Sequence, residues 1–223
     1  MLDVHSSPLS DLKTVWRNLH SHSCPFDYNF HLHTTRSDGQ LEPGEIMEQA
    51  LDHGLKGLAI TDHHCTDAYQ EALDWLNTQG IHSDRLTLWT GIEISADLLG
   101  VEVHILGYGF DLAAPSLFAY SQRKNVRNSP FYDAAIVIDQ IHQAGGLAVL
   151  AHPERYRKSS KLLVPAAVEF GIDGIEVFYN YQRTDPWQAT PKKASKLERM
   201  AKAYNLFSTC GTDTHGKDIL LRI

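Results

Sequence analysis

The segment Phe30-His31-Leu32-His33-Thr34-Thr35-Arg36-Ser37-Asp38-Gly39 constrains this chain more than any other. Two imidazoles stand at i and i+2 at the end of an apolar run, and a carboxylate follows five residues later. Side chains alternate faces along a strand, so His31 and His33 point the same way. Neutral imidazole nitrogen is a good ligand for zinc, manganese or iron. His-x-His alone is a weak signal, because two partly exposed histidines at a strand end satisfy it equally well. It gains weight only if other strands end in matching ligands.

They do. Apolar runs at 27–33, 57–61, 86–95, 101–108, 147–150, 174–178 and 206–209 read as strands. Helical patterns at 9–19, 43–54, 66–78, 132–144, 162–170 and 191–204 lie around and between them. Pro43 suits the first turn of its helix, and Gly54 ends it. A turn is expected around Leu99-Gly100, and 180–190 reads as the one long loop. Strands alternating with helices imply βαβ units and a parallel sheet. About seven strands in 223 residues suggest a barrel, an α/β fold. In such a fold, residues at the carboxyl ends of the strands converge on one face.

Ionisable residues fall at those ends: His63 in Thr-Asp-His, Glu93 in Gly-Ile-Glu-Ile-Ser, His104 in Val-His-Ile-Leu-Gly, His152 in Ala-His-Pro, and Asp213 and His215 in Asp-Thr-His. Packing alone does not account for so many in equivalent places. Burying them without a metal would carry a large desolvation penalty, so a multimetal site is expected.

The ordered series His-x-His-x4-Asp, Thr-Asp-His, Gly-Ile-Glu-Ile-Ser, His-Ile-Leu-Gly-Tyr, Ala-His-Pro and Asp-x-His resembles the PHP (polymerase and histidinol phosphatase) superfamily, over about residues 28 to 216. The Glu93 and His104 segments are most similar to the small phosphoesterase branch that includes nucleoside bisphosphate phosphatases and a 5′-exonuclease. The resemblance implies a distorted (β/α)7 TIM-like barrel over residues 27–223, preceded by an N-terminal helical extension over 1–26. It implies two or three divalent ions. His31, His33, Glu93 and Asp213 would take the first, and Glu93 would bridge to a second held by His104 and His152. Asp38, His63 and His215 would take the third. Glu93, Asp213 and His215 are the candidate catalytic residues. Members of that branch usually carry a sizeable helical insertion before Ala-His-Pro, and here it is shortened.

Such a cluster suits phosphoester chemistry. Three divalent cations outweigh the carboxylates of Asp38, Glu93 and Asp213, so the centre attracts a phosphate dianion. Metal-bound water has its pKa lowered towards ~7, which supplies hydroxide as a nucleophile at neutral pH. The ligand set suits Mn, Zn or Fe alike. Arg155 and Arg157, just after His152, and Arg36, in the first ligand loop, are candidates to hold the substrate. Arginine suits bidentate phosphate contact. Asp62 is a candidate to orient an imidazole, and Tyr179, Tyr181 and Trp187 are candidates for an aromatic wall against a base. Arg123, Lys124 and Arg127 lie where a cap would be. His5, His20, His22, His53, His82 and His142 fall outside the ligand pattern.

Composition limits the partners. A formal charge of −7 argues against a broad phosphate-backbone footprint. Cys24, Cys65 and Cys210 are scattered, which fits free thiols in a reducing compartment. No apolar block reads as a signal peptide or membrane span, so a cytoplasmic location is expected, with no protein partner evident. The P-loop, Gly-x-Gly-x-x-Gly, Gly-x-Ser-x-Gly and His-Glu-x-x-His patterns are absent. The expected activity is hydrolysis of a small phosphomonoester, a nucleotide or nucleoside bisphosphate. The alternatives are a 5′-end exonuclease on short oligonucleotides, a histidinol-phosphatase-like enzyme, and a non-catalytic metal-binding regulatory domain.

Overall fold

The computed structural model of the chain describes residues 9–122 and 126–223. Its strands are β1 (Tyr28–Asn29), β2 (Gly57–Ala59), β3 (Thr87–Trp89), β4 (Gly91–Leu98), β5 (Val101–Tyr108), β6 (Leu147–Leu150), β7 (Gly174–Phe178) and β8 (Phe207–Cys210). Its helices are α1 (Leu9–Arg17), α2 (Pro43–Asp52), α3 (Asp67–Thr78), α4 (Ala134–Gln143), α5 (Ser160–Glu169) and α6 (Pro191–Ala203).

Strands β1, β2 and β3 pair in parallel, and β4 to β8 form a second sheet in chain order. β3 and β4 are one length of chain interrupted at Thr90, so the two sheets are continuous. Beyond the strand ends, Thr61 N–H donates to Leu32 O at 2.8 Å, continuing the β1–β2 pairing, and Glu93 N–H donates to Asp62 O at 3.2 Å, which joins the first sheet to the second. The remaining seam is closed by Phe30 N–H to Cys210 O at 3.1 Å and Asp213 N–H to His31 O at 2.8 Å. Counting β3 and β4 together, seven strands surround the axis in an irregular barrel.

One strand runs against the expected parallel pattern. β5 is antiparallel to both β4 and β6. Leu99 and Gly100 join β4 to β5 with φ of 59° and 74°, and a two-residue turn of this kind connects only antiparallel neighbours. His104 is therefore not at the carboxyl end of its strand. It lies early in β5, opposite Ser95, where the hairpin brings it back to the ligand-bearing end of β4.

Helix formation follows local chemistry. Asp133 caps α4 by accepting from Ala135 N–H at 2.8 Å, and Ser159 caps α5. Between β5 and β6 the described elements are α4 and two short 3-10 turns, the remnant of the expected cap. Arg123 and Lys124 lie outside the described residues. Arg127 donates to Glu102 at 2.7 Å. α1 places Leu12 and Trp16 on the barrel, the Trp16 ring meeting Tyr108 edge-on at 5.2 Å and Phe30 at 5.9 Å. Among the described residues, no helix is long and apolar enough to cross a membrane.

Candidate metal centre

The ligand loops are built by close backbone packing. A Cβ at Gly211 would fall 2.1 Å from the His31 Cβ, so only glycine lets the chain after β8 lie against the His31 segment. A Cβ at Gly39 would fall 2.3 Å from His33 O, which fixes glycine at the turn that follows Asp38. Asp62 organises that turn: it accepts from Thr34 N–H at 2.7 Å, Thr34 Oγ1 at 2.6 Å and Ser37 Oγ at 2.6 Å. Asp62 thus holds the loop rather than an imidazole, a correction to the sequence expectation.

Glu93, buried in β4, divides its two oxygens between two sets of histidines. Oε2 lies 3.1 Å from His31 Nε2, 3.0 Å from His33 Nε2 and 3.5 Å from His63 Nε2. Oε1 lies 2.6 Å from His104 Nδ1 and 3.4 Å from His152 Nε2. Asp213 divides its oxygens as well. Oδ1 faces His31 at 3.5 Å and His33 at 3.3 Å. Oδ2 accepts from Tyr179 Oη–H at 2.6 Å, from the Arg155 guanidinium at 2.7 Å and from Arg222 Nε–H at 2.8 Å. Asp38, 53% exposed, stands at the outer edge, 3.1 Å from His215 Nε2 and 3.9 Å from His63 Nε2.

Three groups of donor atoms therefore lie within 4.8 Å of one another: His31, His33, Glu93 and Asp213; His33, Asp38, His63 and His215; and His63, Glu93 and His104. The structure brings all nine expected ligands into one cluster. His63 stands between the outer two groups, and His152 meets the centre through Glu93.

The donors fit divalent cations. Both ring nitrogens of His152 are buried without a hydrogen-bond partner, and those of His33 face only the carboxylates of the cluster, an arrangement a bound cation would satisfy. His152 and Asp213 sit at positive φ, 28° and 57°. That strain is held in place by His152 N–H donating to Glu176 Oε2 at 2.8 Å and by the Asp213 N–H bond to His31 O.

The side chains of the cluster balance one another's charges. Burial alone would lower the His31 imidazole, but Glu93, Glu176 and Asp213 raise it well above its ordinary value. Burial opposes His33 likewise, and Asp213 and Glu93 push it up to about 9. Burial would raise the Glu93 carboxyl, yet His31, His104 and His63 hold it well below the usual range. Asp213 is lowered in the same way by His31 and His33. Desolvation dominates at His63, which falls to about 4, and at His152, which is also lowered.

Of the three candidate substrate arginines, Arg155 is at the centre through Asp213 and Tyr179. Arg157 is exposed on the same loop. Arg36 is not turned to the cluster: its guanidinium donates to Glu71 at 2.6 Å and Glu42 at 2.8 Å. The aromatic wall is also revised, since Trp187 is buried in the core and the Tyr179 hydroxyl bonds Asp213. His142 lies apart from the centre, paired with Asp173 at 2.7 Å.

Two residues, Glu176 and Arg222, escaped the sequence reading, and Tyr179 was read as an aromatic wall, not as a partner of Asp213. Glu176 accepts from His31 Nδ1–H at 2.9 Å and from His152 N–H. Its signal was present: Gly-Ile-Glu-Val-Phe places a carboxylate inside a wholly buried strand, as Gly-Ile-Glu-Ile-Ser does. The Tyr179 hydroxyl and Arg222 carry no local signal, because only the fold brings them to Asp213.

The PHP domain family model matches residues 29–163, the segment running from the His31 loop through His152. The 5′-3′ exoribonuclease Rnm of Salmonella typhimurium is 26% identical over 258 positions, covering 84% of this chain and 85% of its own. The 3′,5′-nucleoside bisphosphate phosphatase of Chromobacterium violaceum is 36% identical over 91 residues, 41% of this chain and 30% of its own. A solved structure of an amidohydrolase from Chromobacterium violaceum superposes with a TM-score of 0.71 at 23% identity, over 87% of this chain and 90% of that one. At that identity the likeness is one of fold.

Proposed function

The chain belongs to the PHP domain family, and we propose that it is a metal-dependent phosphoesterase that releases phosphate from a small nucleotide-type phosphomonoester. The observation that carries this reading is Glu93, whose two oxygens face separate histidine sets in a cluster with orphaned, buried imidazole nitrogens. Two or three divalent ions, manganese, zinc or iron, would neutralise phosphate charge there and lower the pKa of a coordinated water.

The protein's own residues supply position and polarity. Glu93 joins two ligand sets, and Asp213 fixes a third edge with its second oxygen anchored by Tyr179, Arg155 and Arg222. Glu176 orients His31 and pins the His152 backbone, so two ligands are aligned by one buried carboxylate. His215, whose Nδ1 lies 2.8 Å from Asp213 O, presents Nε2 towards Asp38 and the open edge. Arg155, a little over one-third exposed and bonded to Asp213, would meet phosphate oxygens there, and the exposed Arg157 two residues on would assist it.

A second reading is 5′-end trimming of short oligonucleotides. It is favoured by the exoribonuclease relative, whose match extends over most of both chains. The test is phosphate or nucleotide release, with manganese, from nucleoside monophosphates, 3′,5′-bisphosphates, histidinol phosphate and a short 5′-phosphorylated oligonucleotide. Release from the nucleotide members, abolished by chelator, supports the proposal. Release from histidinol phosphate alone, or from none of them by metal-loaded protein, refutes it. The active compartment in this reading is the cytoplasm.

A further inference from the structure

The chain's charge is unevenly placed. Residues 154–204 hold ten of the 20 lysines and arginines but six of the 27 acidic residues. Three of those acids are engaged: Glu176 within the centre, Glu154 with Lys196 at 2.7 Å, and Asp173 with His142. The fold gathers part of this surplus into a groove of about 500 Å³ between α5 and α6, lined by Lys161, Lys196, Arg199, Met200, Ala203 and Tyr204. No acidic side chain lines it. Tyr204, 41% exposed, adds an aromatic ring to the lining.

We propose that this groove holds the phosphodiester backbone of a single-stranded oligonucleotide whose 5′ end lies at the metal centre. The inference rests on the phosphoesterase reading and extends it to substrate length. Cations that track a backbone, with an aromatic ring for a base, are the parts a single-strand site requires. The groove is tied to the centre by one loop. Glu154 accepts from Lys196 and from Ser160, and the next residue, Arg155, donates to Asp213. Arg155 and Lys161 are six residues apart, so their Cα atoms are at most about 20 Å apart. At 3.4 Å per stacked nucleotide, that distance is at most about six nucleotides. The exposed Arg157 lies between them. The overall acidity that argued against a long substrate does not describe this face.

The test is equilibrium binding of a fluorescent 5′-phosphorylated decamer with phosphorothioate linkages, which resist cleavage, to the manganese-loaded protein across a salt series. Lys161→Ala/Arg199→Ala is compared with Lys13→Ala/Arg85→Ala, which removes equal charge away from the groove. Lys196 is left intact because it braces Glu154. The groove variant is expected to bind at least tenfold more weakly at 0.1 M salt. Its log–log salt slope should fall by about 1.4, the value for two phosphate contacts on a single strand. The control variant should keep most of both. Equal losses in the two variants, unchanged binding in the groove variant, or no binding by the unaltered protein would overturn the proposal. Because the readout is binding, failure here with continued mononucleotide turnover rejects the groove alone. Failure of all turnover with intact groove binding rejects the enzyme reading alone.

Discussion

Glu176 Oε1 accepts a hydrogen bond from His31 Nδ1–H at 2.9 Å, and both residues are fully buried. The bond fixes the tautomer of His31, leaving Nε2 free to face Glu93 and Asp213. The same carboxylate takes the His152 N–H on its other oxygen. One side chain that touches no expected substrate therefore aligns ligands from two different loops. Glu176→Gln keeps the shape and removes the charge. Metal affinity or turnover should fall 10–100-fold, the usual cost of losing a partner behind a ligand. Metal titration followed by calorimetry checks it, and an unchanged affinity would remove Glu176 from the centre.

Glu93→Gln should have a larger effect. Its two oxygens serve both ligand sets, so metal content and turnover should fall together, turnover by more than about 100-fold. Metal analysis and phosphate release on the same preparation measure the two quantities. Full activity in this variant would contradict the site.

Metal binding should also release protons. The carboxylates around His31 and His33 raise both above the ordinary imidazole value, His33 to about 9, which favours their protonated forms. A cation can bind their nitrogens only by displacing a proton from the protonated form, so loading at pH 7 should release protons and tighten as pH rises. Release measured in weakly buffered solution tests this. Uptake, or no change, would contradict it.

His142 gives a contrasting case. Its hydrogen bond with Asp173 raises its pKa above the ordinary value of 6.5. Both folded and unfolded chains are protonated well below pH 6.5, so the pair stabilises the fold fully there and loses that contribution as pH rises through the folded value. Because the pair is partly exposed, the effect is at most about 1 kcal/mol, or about 2–4 °C in Tm for a chain of this size. His142→Ala should lower Tm more at pH 6 than at pH 9 and leave phosphate release unchanged. An equal shift at both pH values would refute the charge-based account.

The nine candidate donors were legible in the sequence because each lies in a short motif in or just beyond a strand, where residue type and local spacing suffice. The direction of β5 was less so. Alternating strands and helices suggested a uniform parallel sheet, although the Leu99-Gly100 turn already required an antiparallel partner. Arg36 was misread because its neighbours in sequence are ligands, whereas its neighbours in space are Glu42 and Glu71. The joint role of Arg222 and Tyr179 was invisible for the opposite reason: 43 residues separate them in the chain, and they meet on one oxygen of Asp213. The basic groove is similar. Net charge counts every residue equally, but only packing of α5 against α6 places Lys161 beside Arg199.

The most direct test of the central claim is the rate of phosphate release from a nucleoside 3′,5′-bisphosphate as manganese is titrated into metal-free protein. Activity should be absent at the start and climb to a plateau at two to three equivalents per chain. Full turnover in chelator-treated protein, or a plateau reached with no metal retained, would contradict a multimetal centre built on Glu93.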